Sequence, residues 1–328
     1  MEIPNREPFA VRFWRCIEMK NLAIKAENLK KSYGELEAVR GISFEVEEGI
    51  IFGMLGPNGA GKTTTIETIV GLISRDGGLL SLFGLDPDKE SDEIKKIIGV
   101  QLQSPALFPR LTVTEILALF ASFYPEPMRV ADVVSMIGLD EKEKTQVANL
   151  SGGQRHRLAV GLAMVSNGRV IFLDEPTTGL DPQARRYLWE VILSLKKAGK
   201  TVFLTTHYMD EAERLCDELL IIDHGRVIAK GSPKKLIKEN FQETAIEFTD
   251  PGFLEEDKEE LKGIGLAERI TFDNEEKHII LYSNKVPESI KALMDFAEKK
   301  EKIIEDITVR QACLEDVFLK LTGRGIRE

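Results

Sequence analysis

Ile50-Ile51-Phe52-Gly53-Met54-Leu55-Gly56-Pro57-Asn58-Gly59-Ala60-Gly61-Lys62-Thr63-Thr64 is the stretch that decides the fold. Its first six residues are a short apolar run, the pattern of a strand buried on both faces. A glycine-rich loop follows. Then Lys62–Leu72 has helical spacing, with Ile66, Ile69, Val70 and Ile73 on one side. Gly56–Thr63 fits G-x-x-x-x-G-K-[ST], a phosphate-binding loop between strand and helix. The chemistry explains the spacing. Backbone N–H groups of Gly56, Pro57, Asn58, Gly59, Ala60 and Gly61 (all but the proline's) can wrap an anion only where few Cβ atoms block the approach. The helix adds its N-terminal amides, Thr64's among them, and the positive end of its dipole. Lys62 supplies a point charge for β- and γ-phosphates, and the Thr63 hydroxyl a ligand for Mg²⁺.

A second signal lies downstream in Val170-Ile171-Phe172-Leu173-Asp174-Glu175-Pro176. Four apolar residues ending in two acids read as a buried strand delivering carboxylates to its C-terminal edge, where open α/β sheets bind ligands. Asp174 is placed to hold Mg²⁺ through its water shell. Glu175 is placed to orient or deprotonate an attacking water. The neighbouring pattern agrees. Helix Ala184–Lys197 alternates with strands Thr201–Thr205 and Glu218–Asp223, so a mostly parallel sheet covered on both faces is expected. Leu22–Ser32 and Ala38–Val46 read as an antiparallel pair. Thr112–Phe123 and Val130–Ile137 look helical with no strand between them, which makes them a helical insert.

Leu150-Ser151-Gly152-Gly153-Gln154 opens a helix expected over Arg155–Val165. A serine and two glycines at a helix start form a second anion nest. One nucleotide does not need two nests from one chain. Either Ser151 is a helix cap, or Ser151, Gly152, Gly153 and Gln154 contact a nucleotide held by another copy.

On these three motifs the chain resembles the ATP-binding subunits of ABC transporters over Leu22–Gly231. Leu150–Gln154 resembles their signature motif. The resemblance implies a P-loop NTPase (RecA-like) core with an antiparallel β subdomain and a helical insert. It implies ATP and Mg²⁺, and two copies enclosing two ATP, each signature facing the nucleotide of the other. It also assigns further residues: Tyr33 to stacking on adenine, Gln103 to Mg²⁺ and water between the two subdomains, Asp181 to a loop crossing the dimer interface, and His207 to the γ-phosphate. Gln101 stands two positions before Gln103, so the register there is open. By this likeness Glu175, His207, Gln103 and Lys62 are the catalytic group, and Thr63, Gln103 and Asp174 the metal group.

Composition bounds the rest. The 328 residues carry 44 Lys+Arg against 54 Asp+Glu, a net charge of −10. Duplex nucleic acid selects basic surfaces, so it is not expected as a partner. Chromosome-type relatives separate the two acidic and P-loop motifs with a long coiled coil, and none is visible between Lys62 and Asp174. Translation-type relatives carry two cassettes. No apolar run approaches the roughly 20 residues of a spanning helix; the resemblance to ABC transporter subunits implies a separate integral-membrane permease as partner, at the cytoplasmic face. Cys16, Cys216 and Cys313 are scattered, with no metal-binding spacing.

Residues 1–20 are expected to be an extension, Met19 reading as a second start; 21–232 the ATPase domain, its helical subdomain at about 104–165; and 233–328 a small α+β domain. In that last part Thr244–Phe248, Leu266–Phe272, His278–Tyr282 and Ile303–Val309 read as strands. Pro287–Lys300 reads as a helix, and Leu314, Val317, Phe318 and Leu321 share one face of a closing helix. Phe172–Arg185 and Leu314–Gly323 are similar to segments of multidrug and antibiotic exporter ATPases, so export is expected. An importer is the alternative.

Overall fold

The computed structural model describes residues 21–322 except 104–106, 242, 250–251, 253–256, 258–260, 262–266 and 274–277. The extension expected over 1–20, with Cys16 and Met19, lies outside the described residues, as do Leu266, Gly323 and the start of the insert near 104. The chain divides into two compact units, one ending at Gly231 and the next starting at Ser232.

In the first unit β1 (Leu22–Tyr33) and β2 (Leu36–Glu47) pair antiparallel. Next comes β3 (Ile51–Leu55), whose five residues are all buried, then the glycine-rich loop and α1 (Lys62–Ile69). A strand not anticipated from the sequence, β4 (Gly77–Leu82), returns to pair with β1, giving the sheet order β2-β1-β4. Its Gly-Gly start and exposed Leu79 hide the alternation that marks a strand. α2 (Ser91–Ile97) leads into the short β5 (Ile98–Gln101).

The helical insert follows as α3 (Val113–Ala121), α4 (Val130–Met136) and α5 (Gly152–Met164). α3 starts on a capping box: Thr112 Oγ1 accepts from Glu115 N, and Glu115 reaches back to Thr112 N at 2.8 Å. α5 begins three residues before the expected Arg155, because Ser151 and Gln154 form a second capping box. Beyond it come β6 (Val170–Asp174), α6 (Pro182–Lys197), β7 (Thr201–Thr206), α7 (Met209–Leu215), β8 (Glu218–Asp223) and β9 (Arg226–Gly231). α6 also starts early, with Asp181 capping it and Pro182 at its first position.

The central sheet has the order β5-β6-β7-β3-β8-β9, parallel except for β9. Its core is an aromatic ladder. Phe172, Phe203 and Phe52 are opposite one another on β6, β7 and β3. Centroids are 5.6 Å apart for Phe172–Phe203 and 5.5 Å for Phe203–Phe52, and Phe44 of β2 stacks on Phe52 at 5.7 Å. Phe52, Phe172 and Phe203 are fully buried, each worth about 1.5–3 kcal/mol in apolar transfer. The ladder holds the three strands in register. That register places Leu55 opposite Thr206, and Asp174 opposite Thr205, at one edge. Among the described residues, no helix is long and apolar enough to cross a membrane.

The second unit contains α8 (Pro233–Asn240), β10 (Thr244–Thr249), β11 (Ala267–Asp273), β12 (His278–Ser283), α9 (Val286–Lys300), β13 (Glu305–Gln311) and α10 (Leu314–Thr322). Its sheet is antiparallel in the order β11-β12-β10-β13. Ile246, Phe248, Leu281, Leu293 and Phe296 form its core. β13 starts at Glu305 rather than at the expected Ile303, which is exposed. A buried polar joint closes the unit. Arg310 donates to both Asp316 oxygens, at 2.6 and 2.9 Å, and to Glu247 Oε1 at 2.7 Å. Asp316 also accepts from Tyr282 Oη at 2.6 Å and from Cys313 N at 2.7 Å. Burial pushes the Asp316 carboxyl up, and these donors more than offset it, so its pKa lies below the usual carboxylate range.

Asp316→Ala removes the acceptor shared by Arg310, Tyr282 and Cys313. Leaving such donors unpaired in a buried site costs about 3 kcal/mol. Amide hydrogen exchange in β12, β13 and α10 is therefore expected to accelerate by about two orders of magnitude, while β3 and β6 keep their protection.

Candidate active site

The edge set by the Phe ladder collects four segments around one carboxylate. Glu175 follows β6 and is 6% exposed. Its Oε1 lies 3.0 Å from Lys62 Nζ, at the start of α1. Its Oε2 accepts from Gln103 Nε2 at 3.3 Å and Thr178 Oγ1 at 3.2 Å, and pairs with His207 Nδ1 at 3.2 Å. Burial pushes the Glu175 carboxyl up; Lys62 and then His207 more than offset it, so its pKa lies below the ordinary carboxylate value. The group is ionised at neutral pH and is held by donors on every side. Its backbone is left-handed, with φ 47°, a conformation that costs a non-glycine residue about 1–3 kcal/mol and is concentrated at functional sites.

The glycine-rich loop is shaped by contacts that exclude side chains. A Cβ on Gly56 would stand 2.4 Å from the carbonyl oxygen of Ile222. Gly61 has φ 102° and no room beside Ala38 O, also at 2.4 Å. Gly61 sits at the N-terminus of α1 with no side-chain cap, so the first turn keeps its amides for another acceptor. Lys62 is buried and donates to Gly56 O at 2.8 Å and Pro57 O at 3.1 Å.

Asp174 is fully buried at the end of β6. Thr205 Oγ1 donates to its Oδ1 and accepts from Glu175 N at 3.0 Å, so one hydroxyl ties both acids to β7. The Thr63 hydroxyl faces the same carboxylate, while Oδ2 has no hydrogen-bond partner among the described residues. Burial pushes the Asp174 carboxyl above its usual value. A buried carboxylate oxygen with no donor, beside a threonine hydroxyl, fits a hard divalent cation.

The structure separates the two glutamines. Gln101 is buried at the end of β5, donating to Leu102 O at 2.8 Å and Asp174 O at 3.2 Å. Gln103 is the one whose side chain reaches Glu175. Lys62, Gln103, Glu175 and His207 thus come together, with Asp174 and Thr63 beside them. Tyr33 stands apart at the end of β1, 49% exposed, with Lys31 Nζ 5.7 Å above its ring.

Ser151 and Asp181 form a second group. Ser151 Oγ accepts from Gln154 N at 3.2 Å, so the helix-cap reading of Ser151 is satisfied in the single chain. Asp181 Oδ1 accepts from Gln183 N and Ala184 N, both at 2.9 Å. The two N-termini face a common concavity of about 430 Å³, lined also by Gly153, Arg157 and Tyr187 and by no residue of the glycine-rich loop.

Thr205 and Thr178 were not singled out in the sequence. The Thr205-Thr206-His207 run held the signal: a polar strand end facing two acids needs hydroxyl donors. Without the register of β6 on β7, nothing in the sequence showed which acid each hydroxyl meets.

Comparisons with known proteins point to one family. The ABC transporter family profile matches residues 39–178. The Nod factor export ATP-binding protein I of Ralstonia nicotianae is 39% identical over 312 residues, covering 93% of this chain and 95% of the relative. The linearmycin resistance ATP-binding protein of Bacillus subtilis is 36% identical over 310 residues, covering 93% of this chain and all of the relative. Among solved structures, an ATP-binding subunit of an ABC transporter superposes with a TM-score of 0.61 at 28% identity, covering 66% of this chain and 93% of its own. A dimeric ATP-binding cassette bound to ADP and Pi gives 0.59 at 26% identity, covering 64% and 98%.

Thr205→Val keeps the shape of the side chain and removes its hydroxyl. Asp174 Oδ1 and Glu175 N lose their common partner in a buried site, at a cost of about 1–3 kcal/mol. The urea midpoint is expected to fall with the m-value unchanged, and Thr205→Ser to recover most of the loss.

Proposed function

Because the chain belongs to the family of ABC transporter ATP-binding proteins and is an ATPase of that family, we propose that it powers export through a separate integral-membrane permease, docked at the cytoplasmic face of the membrane. The observation that carries the catalytic part is the convergence of Lys62, Gln103 and His207 on the Glu175 carboxylate at the end of the glycine-rich loop. Export is supported by two relatives, named for Nod factor export and for linearmycin resistance, that align over 93% of the chain, second unit included.

In this reading Gly56–Thr64 cradles the phosphates of ATP through backbone amides, and Lys62 gives its charge to the β- and γ-phosphates. Tyr33 stacks on adenine. Thr63, Asp174 and Gln103 hold Mg²⁺, for which the donorless Oδ2 of Asp174 is suited. Bound Mg²⁺ supplies charge neutralisation on the phosphate oxygens. Glu175 takes the proton of the attacking water, its depressed pKa keeping it in the ionised form that can accept one. His207 and Gln103 orient water and γ-phosphate against it.

The active form is a dimer of the chain. A single copy has its nest at Ser151–Gln154 and Asp181 around a cavity that the glycine-rich loop does not line. A second copy turned about a two-fold axis lets each nest complete the other's nucleotide site. The dimeric cassette of known structure supports that arrangement. ATP then joins the two copies, and hydrolysis lets them part, which is the movement passed to the permease.

Glu175→Gln is expected to bind ATP with little loss and to hydrolyse it at least about 100-fold more slowly, the scale of a lost general base. Saturating Mg-ATP should lock this variant as a dimer on gel filtration; a persistent monomer counts against the enclosed sites.

Mixing tests the shared site more sharply. Ser151→Arg blocks the nest and leaves the glycine-rich loop; Lys62→Ala does the reverse. Each alone should be nearly inactive. Random pairing makes half the dimers mixed, each with one good site of two, so the mixture should recover about a quarter of the wild-type rate. Full activity from Ser151→Arg alone would return Ser151 to a cap and nothing more.

A further inference from the structure

One buried carboxylate lies behind the site and takes no part in the chemistry above. Glu211 is on α7, four residues after His207, and is fully buried. Its Oε1 accepts the indole N–H of Trp189 on α6 at 2.9 Å. The hydroxyls of Thr206, just before His207, and Thr177, two residues after Glu175, face the same carboxylate without closing a full hydrogen bond on Oε2. Thr206 Oγ1 already accepts from Tyr208 N at 2.9 Å, so its own proton is left to donate. Glu211 therefore faces the two turns that carry Glu175 and His207, and holds the helix whose N-terminus is capped by Asp181.

Packing alone does not call for a carboxylate there. Burial pushes the Glu211 carboxyl above its usual value, a desolvation cost that an apolar side chain of similar volume does not carry. What the apolar side chain lacks is an acceptor for Trp189 and for the threonines. Three elements would then be free to shift by fractions of an ångström, and that shift is felt where Glu175 Oε2 and His207 Nδ1 stand 3.2 Å apart.

We propose that Glu211 is a positioning residue for hydrolysis: through Trp189, Thr206 and Thr177 it sets the Glu175 turn, the His207 turn and the N-terminus of α6 in one arrangement. The proposal rests on the ATPase reading above. Glu211 has no bond to the glycine-rich loop among the described residues, so its loss acts on kcat and not on ATP binding.

Glu211→Leu is expected to lower kcat about 10- to 100-fold with KM for ATP within about twofold of wild type. Its urea midpoint should fall, because the buried indole N–H of Trp189 loses its acceptor. Glu211→Gln keeps an oxygen for the indole and gains an NH₂ group, so it should restore kcat to at least about a third of wild type. In a Trp14→Phe background, Trp189 is the remaining tryptophan. Its emission should respond to Mg-ATP in the chain with Glu211 and not in the leucine variant. Should Glu211→Leu fail to fold, Glu211→Asp keeps the carboxyl, shortens the reach and should lower kcat about tenfold. Wild-type kcat in the leucine or the aspartate variant overturns the proposal, and so does a glutamine variant as slow as leucine. The ATPase reading fails separately, if the unmodified chain does not hydrolyse ATP or Glu175→Gln hydrolyses it at the wild-type rate.

Discussion

The register of three parallel strands is the constraint on which the site depends. A parallel pair has no hairpin to set its alignment, and a slip of one residue turns every side chain to the opposite face. Phe52, Phe203 and Phe172 make that slip costly, since each ring would leave a filled core and its aromatic neighbours. Because they are aligned, the chain leaves β3, β6 and β7 at one level, and three polar segments remote in sequence meet there. Thr205 shows how fine the alignment is. Its single hydroxyl serves Asp174 and the backbone of Glu175 together.

The chemistry of the first unit was legible because it is written in contiguous residues. Gly56–Thr63 fits the pattern of a phosphate cradle by the absence of side chains, and Asp174-Glu175 end an apolar run that reads as a buried strand. His207 and Gln103 needed the family likeness, since a lone histidine or glutamine carries no local pattern. The choice between Gln101 and Gln103 needed coordinates: two residues apart on an extended chain, both face the same side. The starts of α5 and α6 lie before the point where the sequence pattern becomes helical, because the apolar period begins after the cap; Ser151 and Asp181 have already begun each helix.

Strands and helices that escaped notice share a reason. β4 carries a glycine pair, β9 has mostly exposed residues at the sheet edge, and α7 has only seven residues. None offers enough periodic burial to be seen without its neighbours. Glu211 illustrates the opposite limit. On a short helix with Asp210, Glu213 and Arg214 it reads as one more surface charge, and only the three-dimensional packing reveals it as buried. The joint around Arg310 is similar: Glu247, Tyr282 and Asp316 come from β10, β12 and α10, and their meeting is a property of the sheet order.

That sheet order also bears on how the chain is made. In the second unit α8, its first element, lies against α10, its last, and Lys320 Nζ donates to Asn240 O at 2.7 Å. The unit cannot close until Leu314–Thr322 has left the ribosome. The first unit has all its strands by Gly231. At about 5–20 residues per second, synthesis leaves several seconds in which the nucleotide-binding core can fold while the following segment is still incomplete. Vectorial synthesis thus separates the two folding events in time, and the slow search for parallel strand register can proceed before the second unit's apolar residues are all present to compete.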